Sequence, residues 1–426
     1  MTGSLRLCNH SAEPACSACK SVDTLGNFNV HTREVRGFSS VEAHLTISTT
    51  KKLAGIAGAA LLVAALAGCG TAPEATPTTP GAEAPEVVDG FLPCLISDAG
   101  GWNDKSFNES AKNGMDKAAD ELGVTPLEFE SKNDNDYGPN METAVSEGCS
   151  LIIAVGFKLA AATVEAANAN PDIDFAIIDD YADGTTVDDE GNPVYDGQPD
   201  APNIKPLVFN TAEAAYLGGY AAAAWSAQSG VNKVGTFGGM QIPSVAVFMD
   251  GYQLGVEKYN EDKDANVEVF GWDTTSQEGA FTGGFDANDT AKQTAQSVLD
   301  QGVDVILPVG GPIYQSAAAA IADSGDKTVM LGVDSDLAVA DTSVTDVTLV
   351  SIMKAIDVAV YDATKAAAAG DFDPAPYVGT LENEGVKLSS FHDFESQLPD
   401  GLLDEIAALQ ASIIAGDITV ESPNSP

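Results

Sequence analysis

Arginine is nearly absent from this chain. Of its 426 residues only Arg6, Arg33 and Arg36 carry a guanidinium. The planar fork that grips carboxylates and phosphates is therefore missing from the main body, which disfavours an amino-acid, nucleotide or phosphate ligand. Histidine is almost as scarce: of four residues, only His392 lies beyond position 44. Histidine-based metal sites and histidine-dependent nucleophilic catalysis are excluded on that ground, and only a carboxylate-based enzyme survives as a catalytic alternative. Positive charge is scarce too, with 20 Lys and Arg against 63 Asp and Glu and a formal net charge of −43. Six of the 20 bases but only four of the acids lie at or before Lys52, and the 14 later bases are all lysine. Such a surface repels nucleic acid and anionic lipid, so neither is expected as a partner. No strand-like run is followed by GxGxxG or GxxxxGK[ST], which disfavours dinucleotide and nucleoside triphosphate sites; no cofactor is expected. A small neutral ligand is favoured.

Long hydrophobic runs are also lacking. The apolar stretch Leu53 to Ala67 is too short for a comfortable membrane span. Preceded by Lys51 and Lys52 and ending in Leu66-Ala67-Gly68-Cys69, it has the layout of an export signal over 51–68. Leu-Ala-Gly-Cys resembles a lipobox, in which Cys69 would be acylated and become the mature N-terminus. Residues 1–50, with Cys16 and Cys19, lack the second half of a cysteine-rich metal site. They are read as a leader that is not made or is disordered, with translation starting downstream, for example at Val41. Residues 69–88, rich in Pro, Thr, Ala and Glu, cannot bury enough apolar surface to order themselves and read as a tether. Cys94 and Cys149 are left. They fall in the first and before the third strand-like run, which are neighbours in a 2-1-3-4-5 sheet, so a disulfide in an exported protein and two separate buried thiols are both open.

From Phe91 onward, short apolar runs alternate with helical patterns, which predicts an α/β fold with parallel sheets. One sheet with so many strands is less favourable than two doubly wound lobes, each with its own core. The expected division is 89–210 plus 353–426 for lobe 1 and 211–352 for lobe 2. The strands near 377–381 and 386–388 return to lobe 1, and a final helix over 402–414 packs outside. Residues 182–203, dense in Asp, Gly and Pro, read as a surface insertion.

In open α/β sheets, ligands bind beyond the carboxyl ends of the strands. There the sequence places Asp98, Gly156-Phe157, Asp179-Asp180, Gly310-Gly311 and Asp334-Ser335-Asp336. The stretch from Ser97 to Asn108, between the first strand and the first helix, adds Trp102, Asn103, Phe107 and Asn108 beside Gly100-Gly101. Two aromatics, two amides and two short acids suit a flat ligand with a polar rim. Taken singly, each residue also fits a plain polar turn, a helix cap or a core position.

The motif from Asp98 through Asp104-Lys-Ser-Phe-Asn108, followed in order by PDIDFAIID, GVDSD and SIMK, resembles the basic membrane lipoprotein family, the nucleoside-binding lipoproteins of bacterial ABC importers. The likeness runs from about Phe91 to about Val386. It implies a type I periplasmic-binding-protein fold, two lobes joined by a hinge with three crossovers. It also implies a purine nucleoside in the cleft, an ABC permease as partner, and attachment to the outer face of the cytoplasmic membrane through lipid alone. Asp98 and Phe107 match the family's base contacts in the first lobe, Asp179 or Asp180 falls near another, and Phe285 matches the second-lobe aromatic. Gly310, Asp334 and Lys354 match positions that hold the ribose. The alternatives are another neutral ligand such as a sugar or flavin-like ring, a signalling receptor, and a nucleoside hydrolase built on Asp98 and Asp104.

Overall fold

The structure, a computed structural model, describes residues 87–186, 194–325 and 327–426. The leader, the export signal, Cys69, the tether up to residue 86 and residues 187–193 of the acidic insertion lie outside the described residues.

The chain opens with β1 (Pro93–Ile96), α1 (Phe107–Leu122), β2 (Leu127–Phe129), α2 (Tyr137–Ser146), β3 (Leu151–Val155), α3 (Ala160–Ala169), β4 (Asp174–Ile178) and β5 (Ile204–Phe209). Every residue of β1 and β3 is buried, as expected of parallel strands covered on both faces by helices. Side chains alternate between two cores: Leu95, Ile153 and Ala176 face one, and Cys94, Ile96, Ile152 and Phe175 the other.

After Asn210 the chain builds α4 (Thr211–Ser229), β6 (Lys233–Gly238), α5 (Pro243–Lys263), β7 (Glu268–Phe270), the small hairpin β8 (Trp272–Asp273) and β9 (Glu278–Gly279), and α6 (Asp289–Leu299). Then follow β10 (Val305–Val309), α7 (Ile313–Ser324), β11 (Val329–Asp334), α8 (Leu337–Ala340), β12 (Thr348–Lys354), α9 (Ile356–Ala369), β13 (Tyr377–Gly379), β14 (Val386–Leu388) and α10 (Leu402–Ile414). Helix α4 is rich in alanine and buried almost all round. It packs closely on α5: a Cβ on Gly219 would sit 1.9 Å from the carbonyl oxygen of Tyr252, so only glycine fits there.

Two six-stranded sheets result, ordered β13-β5-β4-β3-β1-β2 and β14-β12-β11-β10-β6-β7. The chain passes between them at Asn210, at Ala355 and over residues 380–385. Three passes from the first sheet must end in the second, and this corrects the expected placement of the C-terminal segment. Helix α9 and β13 do join the first sheet's lobe, but β14 pairs antiparallel with β12, Lys354 opposite Val386, and α10 packs against α4. The reason is the free edge of β12, which short apolar β14 covers. Strand β12 also runs to Lys354, past the expected lobe boundary at residue 352, and the β8–β9 hairpin had no periodic signal. Cys94 and Cys149 are joined in a disulfide, with Cα atoms 5.9 Å apart, where β1 lies beside β3.

Candidate functional site

The strand ends of both sheets face one cavity, lined by residues of both lobes. Its first-lobe wall is polar. Asp104, just before α1, uses Oδ1 to accept from the backbone N–H groups of Ser106 and Glu109, both at 3.0 Å, and Oδ2 to accept from that of Asn108 at 2.9 Å. It thereby satisfies orphan donors at the helix start. Burial pushes its carboxyl up to about 6, against the pull of those three N–H groups. The Asn108 amide reaches Asp98 Oδ1 at 2.7 Å and Asp104 Oδ2 at 3.3 Å, which fixes its orientation. Its own oxygen is buried with no hydrogen-bond partner. Asp98 Oδ1 also accepts from Gly100 N–H at 2.9 Å, and burial raises its carboxyl above the usual range despite these donors.

The cavity's only lysine, Lys354, has a side chain 2% exposed; its Nζ lies 2.6 Å from Asp179 Oδ2 and 3.6 Å from Asp334 Oδ1. Burial alone would drive the ammonium toward neutrality, but the two carboxylates outweigh it and hold its pKa above the ordinary lysine value. Burial raises the Asp179 carboxyl against the pull of Lys354. Three rings surround the ammonium, with centroids at 5.0 Å for Phe248, 5.6 Å for Phe107 and 5.9 Å for Phe209, within cation–π range. Asp179 and Asp334 have φ of 64° and 66°, the left-handed region that non-glycine residues rarely adopt and that collects at functional sites.

The second-lobe wall is mostly apolar: Ile242, Val245, Phe248, Val309, Pro312 and Val333 line it with Phe285. Phe285 rests on Gly310, which has φ 143°; a Cβ there would be 2.7 Å from its ring.

Of the residues singled out in the sequence, Asp98, Phe107, Asn108, Gly156, Phe157, Asp179, Phe285, Gly310, Asp334 and Lys354 line this cavity. Three do not. Trp102 is turned into the core, 9% exposed, because its large apolar surface is better buried there than at a wet rim. Asn103 is exposed and contributes nothing to the wall. Asp180 turns to a neighbouring cavity lined also by Tyr181 and Asp183, and its Oδ1 accepts from Ala182 N–H at 2.6 Å. Sequence reasoning missed Phe248, Ile242 and Val245. Their signal was available: they flank the start of α5, the helix that follows β6 as α1 follows β1, so an apolar residue early in that helix occupies a place like that of Phe107. Asp104, considered as a catalytic partner of Asp98, is engaged as a helix cap. Among the described residues no cluster of acids, cysteines and histidine could hold a metal ion.

This geometry can be set beside known proteins. Residues 94–422 match the family model described as ABC transporter substrate-binding protein PnrA-like. The chain belongs to this family. Its members are substrate-binding proteins of ABC transporters and not enzymes, so the family expected from the motifs is the one found. The chain is similar to a CD4+ T-cell-stimulating antigen of Listeria monocytogenes, 30% identical over 353 residues, 79% of this chain and 89% of that one. It is also similar to the ABC transporter nucleoside-binding protein BmpA of Lactococcus lactis, 28% identical over 77% of this chain and 88% of that protein. Among solved structures, solute-binding proteins of an ABC transporter system from Aeropyrum pernix K1 align with a TM-score of 0.63 and 27% identity, over 77% of this chain and 92% of that one. The periplasmic-binding-protein fold is thus shared. Among the described residues no helix is long and apolar enough to cross a membrane.

Proposed function

We propose that the cleft binds a purine nucleoside and that the loaded receptor delivers it to an ABC permease, the chain being held by an acylated Cys69 at the outer face of the cytoplasmic membrane. The observation that carries the ligand reading is a single cavity in which Phe107 and Phe285, one from each lobe and both partly exposed, accompany a buried Lys354 flanked by two carboxylates. Two ring faces suit a planar base, at about 1–3 kcal/mol per stacked base. Carboxylates suit ribose hydroxyls, each such bond contributing roughly 1.5–3 kcal/mol. The free oxygen of Asn108, beside Asp98, suits a donor on the base edge. With four carboxyl groups against one ammonium, the wall disfavours a phosphate and so a nucleotide. The naming of the Lactococcus relative as nucleoside-binding supports the same reading.

Calorimetry of wild type, Phe107→Ala and Asp334→Ala against adenosine, guanosine, inosine and hypoxanthine tests it. Phe107→Ala is expected to weaken nucleoside and free base alike, by about 1–3 kcal/mol. Asp334→Ala is expected to weaken only the nucleosides, by roughly 1.5–3 kcal/mol, since the base has no hydroxyl to hold. Equal losses for nucleoside and base in Asp334→Ala would remove the ribose assignment. Wild type that ignores all four compounds but is stabilised by a sugar or flavin would replace the ligand.

A further inference from the structure

At the edge of the cavity, the segment before α1 is bonded across the cleft to the end of β11 and to Ser335, which follows it. Ser106 Oγ, on the first lobe, lies 2.9 Å from Asp334 Oδ2 and 3.1 Å from the Val333 carbonyl, and directs its one proton to either. In the opposite direction, Ser335 Oγ on the second lobe donates to the Lys105 carbonyl at 2.8 Å. Ser106 is 2% exposed, so its bond is shielded from competing water. Lys105 is held at φ 59°, a conformation that a residue of its size keeps only where surroundings fix it, and there its carbonyl meets Ser335. Neither serine lines the ligand-facing cavity.

We propose that Ser106 and Ser335 form an interlobe clasp that sets how long the closed receptor holds its ligand. This rests on the reading of the cavity as the ligand site. In each bond the donor sits on one lobe and the acceptor on the other, so a hinge rotation that opens the cleft breaks both bonds together. Asp334 ties the clasp to the ligand: one carboxylate oxygen faces Ser106 while the other faces Lys354 at 3.6 Å. Ser106 is therefore a positioning residue. It orients Asp334 when the lobes meet and releases it when they part. Ligand enters before the lobes meet, so the clasp acts on escape and not on capture.

Alanine variants isolate the hydroxyls, because the Ser106 backbone N–H stays bound to Asp104 and α1 keeps its start. Labels at exposed Glu142 on α2 and Gln293 on α6 of the full chain report the interlobe distance. Without ligand, wild type is expected to populate a short-distance state that Ser106→Ala and Ser335→Ala each deplete and Ser335→Thr restores. With inosine as probe, dissociation should quicken by roughly tenfold or more in Ser106→Ala, with association changed less than about threefold and thermal stability unchanged. Distance distributions identical to wild type in both alanine variants would overturn the clasp, as would a Ser106→Ala effect confined to association. If wild type fails to bind inosine, the nucleoside reading falls, while the ligand-free distances still decide the clasp.

Discussion

The two lobes repeat one plan with different side chains. In each sheet the third strand from the β2 or β7 edge ends in a positive-φ glycine, Gly156 after β3 and Gly310 after β10. The next strand leads to an aspartate in the left-handed conformation, Asp179 after β4 and Asp334 at the end of β11. Topology alone brings these pairs to matching places on either side of the cleft. The strand after that breaks the match: β5 ends in Phe209 and β12 ends in Lys354. One cation thus faces two equivalent carboxylates, and the lobe that supplies it holds the other lobe's Asp179 at 2.6 Å. The walls differ likewise. The first lobe offers Asp98, Asp104, Asn108 and Asp179, and the second a mostly apolar surface. The two lobes thus present surfaces of different polarity to one cleft.

The strongest way to break this arrangement is to remove the shared cation. Lys354→Met leaves Asp179 and Asp334 buried without a counter-charge, and stability is expected to fall by about 3–5 kcal/mol. A carboxyl whose folded pKa is raised contributes stability at low pH that is lost as pH rises through that value, so the deficit should shrink on acidification. Urea unfolding at pH 7 and pH 5 checks both points. Adding Asp179→Asn should recover more than adding Asp334→Asn, since Asp179 makes the shorter contact with Lys354.

A smaller asymmetry is covalent. The disulfide Cys94–Cys149 lies in the first lobe, and among the described residues the second lobe has no counterpart. Replacing both cysteines by alanine should cost roughly 2–4 kcal/mol. Hydrogen exchange should show β1 and β3 losing protection while β6 and β10 keep theirs. Equal loss in both lobes would mean that they unfold as one unit.

The smallest effect is expected at Asp180, whose counterpart after Asp334 is the uncharged Ser335. Burial pushes its carboxyl up to about 6, against the Ala182 N–H, with help from nearby Asp183 and Asp179. Its contribution to stability is present below the usual carboxylate pKa and lost as pH rises through about 6. Asp180→Asn has no such loss, so its melting temperature relative to wild type should rise modestly between pH 4 and pH 7.5. A difference independent of pH would show that the group is ordinary.

Much of this was legible in the amino-acid order, because local patterns carry it. Buried runs such as Leu151–Val155 and the helical spacing after Asn108 set the βα series, and the strand-end rule then located Asp98, Gly156, Asp179, Gly310 and Asp334. The motif likeness added Phe285 and Lys354, which no periodicity marks. What local pattern could not decide were contacts between residues far apart in the chain. Whether Trp102 faced the cleft or the core depended on the packing of the first lobe. Whether Asp104 was a site acid or a cap depended on the turn that brings three N–H groups onto it. Lys354 was marked only by the motif likeness, and tertiary structure made it the last residue of β12, between aspartates 175 residues before and 20 residues before it in the chain. The same holds for β14, whose short apolar sequence suits either sheet and whose place was set by which strand edge remained uncovered after the third crossing. Secondary structure follows from neighbours a few residues apart; the site follows from the crossings between the two sheets, which bring segments far apart in the chain to facing strand ends.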